Sequence, residues 1–131
     1  TDHAPHTTGE KLRGISGVPQ LDTFGPFVAW LIKEQKVDPT IIFRMACQNP
    51  GEWIGQFTGR KVGRIQPGYE ASVTVLDISK SPVEGRPVMT KCGWSPFDLR
   101  SLPGMVQAVY LRGEKVVDGL YIKDFKTSSR S

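Results

Sequence analysis

Histidine and cysteine are the scarce residues in this 131-residue chain, with two of each. Cys47 and Cys92 lie far apart and match no C-x-x-C spacing, so both read as free thiols. No apolar run approaches the ~20 residues of a transmembrane helix. The N-terminus also lacks the charged-then-apolar pattern of a signal peptide, so a soluble protein is expected. A dense block of one charge is missing too: the net charge of +4 comes from 17 basic and 13 acidic residues. Arg60-Lys61-Val62-Gly63-Arg64 is the nearest approach to a phosphate-binding patch. It has no aromatic interleaving and no nucleic-acid motif beside it, and reads as a solvated turn. Neither nucleic acid nor membrane is an expected partner. There is no internal repeat and no low-complexity tract, and with 38% hydrophobic residues the chain is long enough for one globular core.

What histidine there is stands at the start. Thr1-Asp2-His3-Ala4-Pro5-His6 puts a carboxylate and two imidazoles together, the groups a metal or proton-transfer site needs, with Pro5 stiffening the segment. His3 and His6 lack the i, i+4 spacing of one helical face, and Pro5 argues against a helix, so the segment reads as a loop. Such a cluster is more often a capping or hydrogen-bonding turn than a metal site, and spacing alone does not decide for the site. A glycine-rich loop, Gly14-Ile15-Ser16-Gly17-Val18-Pro19, follows.

Phe24, Phe27, Val28, Leu31 and Ile32 recur at helical spacing and predict a helix with that face in the core. Asp22 or Thr23 is expected to cap it, with Pro26 in the first turn and Lys33 at the negative end of the dipole. Asp38-Pro39, followed by Ile41, Ile42, Met45 and Ala46, predicts a second helix over 39–47. Asn49 as N-cap with Glu52 at the capping-box position predicts a third, short helix ending near Gly55. From Gly59 the pattern alternates. A turn is expected at Gln66-Pro67-Gly68-Tyr69, a strand over 72–76, and a hairpin of 106–111 with 115–117 joined by the three residues Arg112-Gly113-Glu114. The proline-bearing segment 80–102 reads as ordered loop with a short strand near Val88, and the polar end 126–131 as frayed.

Five stretches, in order, carry a likeness to a known family. They are Thr1-Asp2-His3-Ala4-Pro5-His6-Thr7 with Glu10-Lys11 and Gly17-Val18-Pro19-Gln20-Leu21-Asp22-Thr23; Gln48-Asn49-Pro50; Gly63-Arg64-Ile65-Gln66-Pro67-Gly68-Tyr69-Glu70-Ala71; Lys91-Cys92-Gly93-Trp94-Ser95-Pro96-Phe97; and the hairpin at 106–117. Together they resemble the dihydroorotases of the amidohydrolase superfamily, over about residues 1–118. Asp-His-Ala-Pro-His is the most specific piece, because hydantoinases and allantoinases resemble it at Asp-His but usually lack the final histidine.

The resemblance implies an α/β fold. Residues 1–58 would be the C-terminal end of a TIM (β/α)8 metal-dependent hydrolase barrel, namely the loop after strand eight and the helices that follow. Residues 59–120 would form part of a small all-β, sandwich-like domain, and 121–131 a flexible tail. A barrel of this kind needs about 250 residues. The chain is therefore expected to be a fragment, inactive alone, with the His-x-His pair, the bridging lysine and the other histidine ligands lying elsewhere. A cytoplasmic setting is expected.

The implied reaction interconverts N-carbamoyl-L-aspartate and dihydroorotate in pyrimidine biosynthesis, with zinc as cofactor and most of its ligands outside this chain. Asp2 matches the aspartate that binds one zinc and carries the proton from the attacking water to the leaving nitrogen, and a carboxylate can do both from one position. His6 resembles the residue that binds the substrate carboxylate, a group hydantoin and allantoin lack. Ser16 and Gly17 align with positions contacting the substrate ring, where glycine permits close approach. His3 is not carried over as a ligand and is expected to support the site from behind. Trp94 and Phe97 are expected to pack the small domain onto the barrel. Expected partners are the small-molecule substrate, the rest of the barrel, and a second copy or aspartate transcarbamoylase. The competing readings are a non-catalytic dihydroorotase-like scaffold bound to aspartate transcarbamoylase, and a related hydantoinase or allantoinase. Retention of Asp2 and His6 favours the enzyme.

Overall fold

A computed structural model describes residues 2–79, 88–97, 102–119 and 121–122. The expected frayed end at 126–131, and residues 80–87 and 98–101 of the expected proline-bearing loop, lie outside them. Contacts divide the chain into two compact units, one of Thr1–Lys36 with Asp77–Met105, the other of Val37–Leu76 with Val106–Ser131.

In the first unit, Thr7 opens helix α1 (Thr8–Leu12). Its hydroxyl accepts the Glu10 N–H while the Glu10 carboxylate accepts the Thr7 N–H, a reciprocal capping box. Thr7-Thr8-Gly9-Glu10 spells that box, although no apolar periodicity calls for a helix there. A 3-10 turn at Leu21–Thr23 runs straight into α2 (Phe24–Lys33). Here the expected cap is corrected. Neither Asp22 nor Thr23 caps α2 with its side chain, because the turn's own carbonyls already receive the first N–H groups, Thr23 bonding Gln20 and Phe24 bonding Leu21. Asp22 instead accepts the Thr90 N–H at 2.9 Å.

Within this chain the face of α2 that is covered is not the expected one. Pro26 and Ala29 are its buried residues, in line with Thr23 just before it, whereas Phe24 and Phe27 remain 43% and 36% exposed. The physical reason is a close chain crossing at Gly104. A Cβ there would stand 2.3 Å from the Ala29 Cβ, so only small side chains fit the face that is covered. Leu102 joins Ala29 in this core. Phe27 stacks instead on Trp30 and Phe97, with ring centroids 5.6 and 6.5 Å away.

In the second unit Asp38 caps α3 (Pro39–Phe43), its carboxylate accepting the Thr40 N–H at 2.8 Å, with proline at the first position as expected. The helix then widens into a π-helical stretch, Arg44–Gln48, and continues as α4 (Asn49–Thr58). Asn49 is thus not an N-cap. Its backbone is helical and its N–H bonds the Arg44 carbonyl five residues back. Pro50 has no N–H to donate, and the wide turn carries the chain through it without a fresh start. Glu52 reaches the Arg64 guanidinium and the Gln48 amide rather than completing a capping box. The helix ends at Gly59, past the expected Gly55, with the Gly59 N–H on the Gly55 carbonyl.

The chain then doubles back across this helix at backbone contact. Cβ atoms at Gly51 and Gly63 would lie 2.4 Å from the Val62 oxygen and 2.3 Å from the Cys47 oxygen. The turn at Gln66-Pro67-Gly68-Tyr69 forms, closed by Tyr69 N–H on the Gln66 carbonyl at 3.0 Å. Strands β1 (Val73–Asp77), β2 (Met105–Leu111), β3 (Glu114–Asp118) and β4 (Tyr121–Ile122) make one sheet in the order β1-β2-β3-β4. β2 and β3 pair antiparallel with Leu111 opposite Glu114, so the hairpin loop has two residues rather than the expected three. Arg112 and Gly113 both have positive φ, 53° and 85°, the type I′ geometry that suits the strand twist. Glu114 is polar and looks like loop, yet it belongs to the ladder. The register slips between Val109 and Tyr110, leaving a bulge at Val116. Val88 lies in no strand, and both cysteines are free.

The hairpin tip is tied back. Gly113 N–H bonds the Ala71 carbonyl, Arg112 N–H bonds the Ser72 hydroxyl, and Ser72 bonds Glu70, which pairs with Arg60.

Candidate functional site

The Asp-His-Ala-Pro-His segment is a loop, as its proline implies, and the first unit pins it from three sides. Ala4 N–H donates to the Val18 carbonyl at 3.0 Å, joining it to the glycine-rich loop. His6 N–H folds back on the Ala4 carbonyl at 2.9 Å, and the His6 carbonyl accepts the Trp94 indole N–H at 2.7 Å. Asp2 is exposed and left-handed, with φ of 50°, a conformation aspartate tolerates better than most residues. Among the described residues its carboxylate has no hydrogen bond and no ion pair.

His3 turns away from that role. Its Nδ1 accepts the N–H groups of Gln20 and Leu21, at 3.0 and 3.3 Å, where the 3-10 turn begins. With Nδ1 an acceptor, the neutral ring carries its proton on Nε2 and has no second lone pair to offer an ion. It ties the first loop to the entry of α2.

The glycine-rich loop is shaped by Lys11, whose ammonium donates to the carbonyls of Ile15 and Gly17. Gly17, at φ of 94°, lies against the first loop: a Cβ there would be 2.5 Å from the Ala4 Cβ and 4.0 Å from the His6 ring. Ser16 is exposed, and its side chain makes no hydrogen bond among the described residues. The structure thus brings Gly17 and His6 together and holds Ser16 at the surface beside them. At the base of the loops, the Glu10 carboxyl lies below the usual range because the Thr7 backbone N–H and hydroxyl stabilise its charged form. That keeps the capping box intact at neutral pH.

Sequence reasoning missed two residues. Lys11 is an ordinary surface lysine by pattern. Trp94 is flagged only as packing, and nothing in local sequence announces a hydrogen bond across 88 positions. As for metal, among the described residues no group of three His, Cys, Asp or Glu side chains is placed to hold an ion. His3, with its Nδ1 committed to backbone donors, is not part of any such group. No helix among the described residues is long and apolar enough to cross a membrane.

The first loop thus carries an exposed Asp2 carboxylate and a backbone-pinned His6 beside the glycine-rich loop. Among known proteins, the chain is similar to dihydroorotases. It is 31% identical over 119 residues to the dihydroorotase of Archaeoglobus fulgidus, covering 90% of this chain and 28% of that protein. It is 32% identical over 116 residues to the dihydroorotase of Clostridium botulinum, covering 87% and 28%. With the dihydroorotase of Methanothermobacter thermautotrophicus the identity is 30% over 122 residues, covering 89% and 28%. The likeness to dihydroorotases is therefore shown for most of this chain, which spans about 28% of the length of the relatives it matches. No family model matches, and neither does any solved structure.

Proposed function

We propose that this chain is the C-terminal part of a dihydroorotase, with residues 1–58 closing a (β/α)8 barrel and the sheet belonging to a small domain beside it. The observation that carries the reading is the run of matches to dihydroorotases along nine-tenths of the chain. The site geometry supports it. A substrate-binding histidine must be held still, and both backbone groups of His6 are bonded.

Asp2 would be one ligand of a zinc ion whose other ligands lie outside this chain. When bound, zinc supplies an acidified water as nucleophile near neutral pH. The Asp2 carboxylate takes the proton of the attacking water on one oxygen and gives it to the ring nitrogen as the amide bond opens. Among the described residues neither of its oxygens is engaged in a hydrogen bond, which suits this role. His6 donates an imidazole N–H to the carboxylate of dihydroorotate, with Ser16 and Gly17 lying against the ring. The relatives named above are called enzymes, which favours catalysis over the scaffold reading.

The test uses the full-length protein. Asp2→Ala should lower kcat by ~10²-fold or more, as loss of general acid–base catalysis does. His6→Ala should raise KM for dihydroorotate, or lower kcat in part if the contact also positions the ring. Hydrolysis of dihydrouracil, which has no carboxylate, should change little. Equal losses on the two substrates would remove His6 from the carboxylate site.

A further inference from the structure

We infer that Trp94 is a positioning residue for substrate binding: its indole N–H fixes the backbone from which His6 projects. The inference rests on the carboxylate-binding role proposed for His6. Three observations lead to it. The His6 carbonyl accepts the Trp94 indole N–H at 2.7 Å, a short, part-buried bond between residues 88 positions apart. The His6 N–H is taken by Ala4, and Pro5 fixes φ between them, so the indole restrains the last free backbone group of the residue. With that peptide held, the Cα–Cβ direction of His6 is set, and the ring lies beside Gly17 rather than sampling the space around an exposed loop.

The segment that delivers the indole is itself anchored. Thr90 donates its N–H to the Asp22 carboxylate, and the chain reverses there through Gly93 N–H on the Thr90 carbonyl at 3.1 Å. Beyond Trp94, Phe97 stacks on Phe27 of α2. Asp22, in the turn that leads into α2, and Phe27 thus hold the strap at both sides of the indole, so the position of His6 is tied to α2 and its lead-in as well as to its own loop. Tryptophan suits the task because it presents one donor and no acceptor on a rigid plane. A carbonyl is the only backbone group it can satisfy.

The experiment compares Trp94→Phe, His6→Ala and the double variant in the full-length protein, with steady-state kinetics on dihydroorotate. Trp94→Phe removes one hydrogen bond and should raise KM roughly three- to tenfold, with kcat changed less than about twofold. In the His6→Ala background the same substitution should add nothing to KM, since there is no ring left to aim. If Trp94→Phe fails to fold, benzothienylalanine at position 94, which keeps the ring shape and replaces the N–H by sulfur, gives the same measurement. An unchanged KM in the single variant overturns the inference, as does an equal rise in KM with and without His6, which marks Trp94 as packing alone. If His6→Ala leaves both KM and kcat for dihydroorotate unchanged, the carboxylate reading fails first and this inference falls with it. If His6→Ala raises KM and Trp94→Phe does not, the role of Trp94 alone is refuted.

Discussion

Two glycines of one loop allow steric contact to be separated from backbone strain. Gly14 and Gly17 both have left-handed φ, 85° and 94°. Alanine at either position meets the same penalty for that conformation, about 1–2 kcal/mol. The surroundings differ. A Cβ on Gly14 meets nothing within 4 Å, whereas one on Gly17 stands 2.5 Å from the Ala4 Cβ. Carbon atoms rest at roughly 3.5–4.0 Å, so Gly17→Ala must drive the two loops apart by about 1 Å or more. The Ala4–Val18 hydrogen bond lies between them, and His6 follows Ala4 by two residues. A displacement of about 1 Å in a positioning element can cost ~10²-fold in rate. We therefore expect Gly14→Ala to lower stability by about 1–2 kcal/mol and leave kcat/KM for dihydroorotate within a few-fold. Gly17→Ala should lose about that stability or more and, in addition, ~10²-fold in kcat/KM. Urea unfolding of the full-length protein and steady-state kinetics give the two numbers. If both variants lose activity equally, or if Gly17→Ala stays active, the contact between the loops does not set the site.

Two further outcomes are expected. Gly63→Ala should destabilise the protein by more than the ~1–2 kcal/mol of left-handed strain, because its methyl group meets the Cys47 carbonyl, which is helix backbone and cannot rotate aside; urea midpoints no lower than those of Gly59→Ala, whose Cβ meets nothing, would refute this. The Glu70 carboxyl is held below the ordinary value of 4.5, first by the Arg60 guanidinium and then by the Ser72 hydroxyl. A depressed folded-state value means its stabilisation is present above that ordinary value and fades as pH falls through the lower one. Protection of the Arg112 and Gly113 amides, taken relative to the intrinsic rate at each pH, should fall over that acid window in the native protein, and Glu70→Gln should show the lower protection already at neutral pH.

The positions of α2, α3 and α4 are legible in the sequence, that of α1 is not, and faces and joints are less so. The stripe from Phe24 to Ile32 located α2, but periodicity ranks side chains by size. The crossing at Gly104 selects small ones, so Pro26 and Ala29 are inside. Asp38-Pro39 was readable as a start because the cap is local. Asn49-Pro50 looked identical and misled, because the five-residue bond from Asn49 to Arg44 depends on what precedes it. The hairpin was plain from its alternation, while its loop length turned on whether Glu114 pairs with Leu111. Of the site, Asp2 and His6 stand out because they are rare residue types in a short motif. Lys11, the acceptor role of His3 and the indole of Trp94 depend on where the backbone goes, and local sequence carries little trace of that.

The π-helical stretch between α3 and α4 acts as a phase step. Its bonds reach five residues back instead of four, so this turn contains one residue more than its neighbours. Each residue of an α-helix advances the side-chain direction by about 100°. Ile41 before the stretch and Trp53 after it are therefore offset, relative to a uniform helix, by nearly a third of a revolution. Both are exposed, at 50% and 63%. Deleting Ala46 would press Pro50 into the interior of a regular α-helix, where its ring meets the carbonyl four residues back at a cost of about 3 kcal/mol. The wide turn thus lets one helical segment pass a proline, and it sets the direction in which each half presents its apolar side chains.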